Sequence, residues 1–353
     1  MEIKGVFNPL PTLTWNFLDL NGVGIDETVK LNNRGDLVIQ DLPNGVTVEK
    51  DGSLLDDVQG GVGPEMENLM KRENVPTLVI RAQKGKTVSE PICLDYKLGE
   101  GDGLLRKQEI IAEEGSEITV IMNYTSKRTE SGFFGIQTKL KAEAGATIHL
   151  VKTNLLGDQY LHFDDIGAVT ADDAHIDIIQ MELGGGRNFI GVQADLYGRK
   201  SRFDGNVGYL TRGTQLLDMN YNIRHHGKKS ESELILNGAM MDKSVKNFRG
   251  TINLIRGAKG AVGDEQENVL LLSKDVHNKS LPNILCSEED VEGTHGATIG
   301  RLSEDMLFYM ESRGISEREA EILMTKARLN NVNRMIQDVN TLGRIQQFIE
   351  EVL

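Results

Sequence analysis

EGSEITVIMNY at residues 114–124, AGATIHLVKTNLL at 144–156 and DAHIDIIQMEL at 173–183 repeat one arrangement: a turn, a small residue, then a run of β-type residues. The openings Glu114-Gly115-Ser116, Ala144-Gly145-Ala146 and Asp173-Ala174 recur about every 30 residues, and such a period marks a stacked repeat rather than a compact mixed fold. Similar runs follow or precede: TLVIRA at 77–82, ELILNGAM at 233–240, TINLIRG at 251–257 and NVLLL at 268–272. With 38 glycines and only 5% aromatics, short strands joined by tight corners suit this chain better than a helical bundle. The expectation is a β-solenoid, in which no rung buries its apolar face alone and the end rungs need caps or partners. Later openings at Lys229-Ser230, Lys243-Ser244 and Lys259-Gly260 tighten to about half the interval, which reads as a regular rung with insertions. A two-sheet sandwich shares the alternation; the long period favours the solenoid.

The chain divides into a mixed N-terminal region at 1–76, a β core at 77–302 and a helical subdomain at 303–353. The first holds glycine clusters at 22–24 and 60–63 and one short helix at about Pro64–Arg72. In the last, Ser303 precedes acids and Gly314 follows, bounding a helix; Ser316-Glu317-Arg318-Glu319 forms a capping box that opens a second. Ile336, Val339, Leu342, Ile345, Ile349 and Val352 recur at helical spacing and predict a third, with one apolar stripe.

A net charge of −14 argues against a phosphate-backbone binder and suits a basic protein partner, so nucleic acid is not an expected ligand. Cys93 and Cys286 stand far apart and in no CxxC spacing, which excludes a disulfide framework and a four-thiolate metal site built from one chain. The start lacks a basic stretch followed by an apolar segment, and no run approaches the length of a membrane span. The expectation is a cytoplasmic protein with no membrane association.

Several local patterns invite functional readings that their surroundings oppose. Gly85-Lys86-Thr87 resembles the tail of a phosphate loop, but Ile80 stands where the earlier glycine belongs and strand-like residues flank it. Gly184-Gly185-Gly186 reads as a loop between rungs. The pair His225-His226 reads as a solvated corner, because adjacent strand residues point to opposite faces and cannot share one ion; Asp164-Asp165 and Asp172-Asp173 read as turn residues. Cys93 and Cys286, each in an apolar run, read as small buried hydrophobes, with a sulfur or cluster ligand at an interface as the alternative for Cys286. Small neighbours at Gly293, Thr294, Gly296 and Ala297 leave His295 accessible, where a strand-end structural histidine is the plain alternative.

The stretch Pro282–Ile315, PNILCSEEDVEGTHGATIGRLSEDMLFYMESRGI, resembles the C-terminal signature of the SufB/SufD family of iron–sulfur cluster assembly proteins. Its SufD branch reads HGAT, then Gly-Arg, then Phe-Tyr, then SRGI. A second match lies at Pro11-Thr12-Leu13-Thr14-Trp15, Leu18 and Asn21, which is similar to the opening of shorter members. The resemblance implies a right-handed parallel β-helix core, with the C-terminal helices docking a SufC-type ATPase through Phe308, Tyr309, Arg313, Gly314 and Ile315. It also implies pairing through the terminal strands with a SufB-like chain, an indirect link to a cysteine desulfurase system, and His295 as an iron or cluster-assembly residue. The chain would hold no stable cofactor alone, only transient iron or a cluster in the complex, and would be no enzyme itself. Where SufB carries a functional cysteine this chain has Val276, between Asp275 and His277, and Gly296 replaces SufB's acid after the histidine; both read as SufD. His277 or Cys286 stands as a possible compensating ligand. The alternative within the family is a self-sufficient, SufB-like homodimer using Cys286. A β-helical carbohydrate-active enzyme is disfavoured by the few aromatics and the lack of a carboxylate constellation on one face.

Overall fold

A computed structural model describes residues 1–39, 42–50 and 52–353. The elements are β1 (Glu2–Phe7), a 3-10 turn (Asn16–Leu18), β2 (Val23–Thr28), β3 (Asp36–Ile39), β4 (Val46–Lys50), α1 (Pro64–Arg72), β5 (Thr77–Ala82), β6 (Ile92–Lys97), β7 (Asp102–Ala112), β8 (Glu117–Thr125), β9 (Ser131–Ala142), β10 (Thr147–Leu155) and β11 (Gln159–Thr170). There follow β12 (His175–Glu182), β13 (Arg187–Leu196), β14 (Arg202–Thr211), β15 (Leu216–His225), β16 (Glu231–Met240), β17 (Val245–Leu254), β18 (Val262–Leu271), β19 (His277–Cys286), β20 (Glu292–Gly300), α2 (Glu304–Ser312), α3 (Glu317–Asn333) and α4 (Val339–Val352).

From β5 onward, strands alternate between two nine-stranded sheets, even-numbered strands in one and odd-numbered in the other. Each successive pair of strands is one rung of a β-solenoid of about 8 turns. Glu117, Thr147, His175, Arg202, Glu231, Val262 and Glu292 occupy one register position, in steps of 30, 28, 27, 29, 31 and 30 residues. The residue before each of the first six is small and buried: Ser116, Ala146, Ala174, Ser201, Ser230 and Ala261. It follows a left-handed residue, such as Gly115 or Gly145 at φ 66°, so a side chain folds into the corner only if it is short. The rung length is therefore nearly constant. The halved interval at Lys243-Ser244 is the second corner of the same rung, opening β17 on the opposite sheet, and not an insertion.

The two sheets enclose a lumen filled by inward residues such as Ile118, Ile148, Ile176, Phe203 and Leu234, all buried. The outer faces are buried too. On the odd sheet, Phe133, Leu161, Phe163 and Phe189 pack against Ile3 and Phe7 of β1, Ile25 of β2 and Met66, Leu69 and Met70 of α1. On the even sheet, Cys93, Ile121, Val151, Ile179, Met181, Leu210 and Ala239 pack under Leu329, Val332, Ile336, Ile345, Phe348 and Ile349. The helical tail is thus laid along the solenoid's flank. Residues on both sides of a strand meet apolar neighbours, which removes the alternation expected of a half-exposed sheet.

The two ends differ. Short β3 and β4 pair antiparallel with β6 and β5 and blunt the first rung, whereas β19 and β20 form the last rung of each sheet with one edge unpaired.

Several expectations change on this frame. Asp164-Asp165 is no turn: both carboxyls are fully buried in the middle of β11, Asp164 paired inside with Lys152 and Asp165 accepting from the Val62 amide at 2.8 Å outside. His225-His226 is a solvated corner only in part, since His225 closes β15 and is buried while His226 opens the corner half-buried. His225 is buried between the hydroxyls of Ser230 and Ser232, each at 2.8 Å, while His226 meets Asp195 at 2.8 Å and stacks on Tyr197. In α4, Val339 is 79% exposed and Phe348 takes its place on the buried stripe, because the helix begins only at that residue. Asp172-Asp173 and Gly184–Gly186 do form connections, and Gly85-Lys86-Thr87 is a rung corner.

Candidate functional site

The last rung, β19 and β20, leaves backbone hydrogen-bonding capacity unused along one edge. A terminal strand presents a row of free amides and carbonyls, a template for another strand. Along β20, every residue is exposed or half-buried, because no further rung covers it.

Register fixes which way each side chain points. In β18, Glu265, Glu267 and Val269 are buried and Asp264 and Gln266 are not; these align with His295, Ala297, Ile299, Thr294 and Gly296. Paired residues in a parallel sheet share a face, so Gly293, His295, Ala297 and Ile299 face the lumen. A Cβ on Gly293 would lie 3.1 Å from Ile284 Cγ2 and 3.3 Å from Leu254 Cδ1, inside the stack, while one on Gly296 would meet nothing. His295 thus caps the mouth of the lumen. The Thr294 hydroxyl, on the outer face, donates to Asp264.

Beneath the mouth lies a polar layer that the sequence reading missed. Lys246 is buried, pairs with Glu267 and donates to Ser280 Oγ at 2.9 Å. Glu265 is 3% exposed, and burial, with Glu267 beside it, pushes its pKa up to about 8. The segment VGDEQENV looks solvent-facing as a string; only the odd-residue alternation through Gly263, Glu265, Glu267 and Val269 hints that two acids point inward.

The other candidates take separate positions. Cys286 ends β19 and is exposed, its thiol donating to the Glu288 carbonyl at 3.1 Å. The expectation of a buried cysteine fails here: Cys286 aligns with buried Leu254 one rung below, and nothing covers it from above. His277 begins the same strand, ten residues long, on the far side from Cys286. It neighbours Val276, which packs on the core, so it points outward. His295, Cys286 and His277 do not converge, and no group of three potential metal ligands stands together among the described residues. Cys93 is buried against the helical flank, and burial raises its pKa to about 11, as for an inert structural thiol.

After the open rung, Ser303 caps α2 by accepting the Met306 amide at 3.2 Å. Unlike α3 and α4, α2 buries nothing: Phe308 is 73% and Tyr309 59% exposed. Arg313 sits over the Tyr309 ring at 5.4 Å, and Gly314, at φ 83°, makes the turn toward Ile315.

Residues 97–328 match the family described as SUF system FeS cluster assembly, SufBD core domain. The chain belongs to this family. Among its relatives are the iron–sulfur cluster assembly proteins SufD of Bacillus subtilis, 29% identical over 68% of this chain and 56% of the relative, and SufD of Escherichia coli, 25% identical over 64% and 53%. A chloroplastic Arabidopsis thaliana protein, ABCI7, is 24% identical over 78% and 62%. The chain thus spans little more than half the length of the SufD relatives it matches. Among the described residues, no helix is long and apolar enough to cross a membrane.

Proposed function

We propose that this chain is a non-catalytic, SufD-like subunit of a cytoplasmic SUF iron–sulfur cluster assembly scaffold. It pairs through β19 and β20 with a SufB-like chain, presents His295 to iron or a nascent cluster in the joint, and carries a SufC-type ATPase on α2. The observation that carries this reading is the asymmetry of the solenoid: one end finishes in two short antiparallel strands, the other in a long parallel edge with an imidazole at its mouth. A stack of rungs is stiff, so movement imposed near α2, which follows directly on β20, is transmitted to that edge. Sulfur comes from a cysteine desulfurase system through the partner, and ATP hydrolysis belongs to the ATPase.

Co-expression with a SufB-like chain and a SufC-type ATPase tests the reading. Copurification of all three, with a His295→Ala complex that assembles normally but yields less cluster, is the expected result. An unchanged cluster yield removes His295 from the site.

A second reading is favoured by one observation, the exposed thiol of Cys286 on the same open rung. In it, two copies of this chain pair and hold cluster or persulfide through Cys286. Iron and labile sulfide retained by a homodimer, and lost in Cys286→Ala, would select it.

A further inference from the structure

The loop Pro11–Asn21 forms an apolar tip that strand pairing alone leaves unexplained. Its Leu13, Trp15 and Phe17 are 75%, 72% and 75% exposed, with the Trp15 and Phe17 rings 5.4 Å apart. The loop is braced from within. Asn21 accepts the Thr14 amide at 2.7 Å and donates to the Thr14 carbonyl at 3.1 Å and to Asn16 Oδ1 at 3.0 Å, while Leu18 and Asp19 close a 3-10 turn onto the carbonyls of Trp15 and Asn16. Large apolar groups held in water are unfavourable, so a loop stiffened to present three of them points to a surface that covers them. Its anchors step along the solenoid axis: Asn8 donates to Asp218 of β15 at 2.7 Å, Arg249 of β17 to the Leu20 carbonyl at 2.5 Å, and Lys279 of β19 to the Leu18 carbonyl at 3.2 Å. These are the last three strands of the odd sheet, about 4.8 Å apart, so the tip reaches the free edge. Leu281 and Leu285, half-buried and on the same face of β19 as Lys279, continue the apolar surface there.

We propose that Leu13, Trp15 and Phe17 form a lip on this edge that packs onto an apolar recess in the outer face of the SufB-like chain once that chain has added to β19. The proposal rests on the pairing reading and deepens it. A strand added to β19 lies one step farther along the axis, beside the lip rather than beneath the body of the sheet. Main-chain hydrogen bonds along β19 are open to any extended strand, so they supply affinity without choosing the partner. A tryptophan anchor chooses, because it needs a recess of matching shape and loses its contacts where none exists.

Trp15 is the only tryptophan of the chain, so the full chain labelled with 5-fluorotryptophan gives one fluorine resonance that reports on the lip. Addition of an unlabelled SufB-like chain should shift that resonance and abolish its water-to-heavy-water isotope shift. Trp15→Ala with Phe17→Ala should weaken the complex at least about tenfold, with circular dichroism and melting of the free chain unchanged, since neither side chain is buried. A copurifying complex in which the resonance stays solvent-exposed overturns the lip and leaves the pairing intact. Burial of the resonance by the labelled chain alone, growing with its concentration, overturns the choice of occupant in favour of a second copy. Failure of the unaltered chains to associate at all overturns the pairing reading, and the lip with it.

Discussion

Arg344 of α4 grips Asp95 of β6 with two parallel hydrogen bonds, at 2.6 Å and 2.8 Å, tying residues 249 positions apart. Burial works against the charge on Asp95, but Arg344 and Asn123 hold its pKa below the usual carboxylate range. A depressed carboxyl contributes stability above its unfolded pKa, and loses it as pH falls through the folded one. Arg344→Ala should therefore destabilise the chain by about 2 kcal/mol near neutral pH, leaving a buried carboxylate with one partner, and by less in acid. Urea midpoints at the two pH values check this.

The helical tail covers the even sheet, and in the proposed reading it also carries the ATPase. Removing residues 303–353 uncovers the apolar row from Cys93 to Ala239, so the truncated core should bind a hydrophobic dye and aggregate. ATPase docking is therefore better tested by Phe308→Ala with Tyr309→Ala. Since neither side chain is buried, stability should change by about 0.5 kcal/mol or less, and loss of ATPase association in pull-down would then report the surface itself.

Glu182 should make stability fall as pH rises. Burial, with Asp164 nearby, raises its pKa to about 7, against the opposing influence of Asn154, Lys152 and Gln180. A carboxyl with a raised folded pKa favours the native state fully below its unfolded pKa and progressively loses that advantage up to the folded one. Glu182→Gln should flatten the decline in stability between about pH 4.5 and pH 7, as read from thermal midpoints across that range. An identical slope in the variant would assign the decline to other groups.

The two thiols should react unequally. Native protein treated with maleimide should take up one equivalent, at exposed Cys286, and a second only after unfolding exposes Cys93. Mass spectrometry counts the adducts.

Gly238 is occupied in space by a neighbour. A Cβ there would overlap the ring of buried Tyr209, so Gly238→Ala forces the ring off its position and should destabilise by about 1–3 kcal/mol. Adding Tyr209→Phe should not restore stability, since the ring carbons make the overlap. Chemical denaturation of both variants tests this.

The legible parts of this fold are those with local chemical causes. Pro64–Arg72, the Ser303 cap and the Ser316–Glu319 capping box, with Ser316 Oγ bonded to Glu319 at 2.7 Å, were all readable from a few adjacent residues. The rung period was readable because each corner demands a left-handed residue followed by a short one. Strands such as β7, β9, β11 and β13 were not, since N-terminal segments cover their outer face and erase the period-two signal. Asp164 is paired with Lys152, and Asp165 accepts a hydrogen bond from an amide 103 residues away; no local pattern records either partner. Motif resemblance singled out His295, whereas Glu265 becomes visible only when register stacks the two.

The unequal ends of the stack also bear on how many chains can join. An open edge at both ends would let copies add indefinitely and grow into fibres. Here the far end is cut down to β3 and β4, of four and five residues, against ten and nine in β19 and β20, so two molecules that met mouth to mouth would use up the long edges and leave only short ones outside. Growth beyond the proposed pair would have to use those short edges.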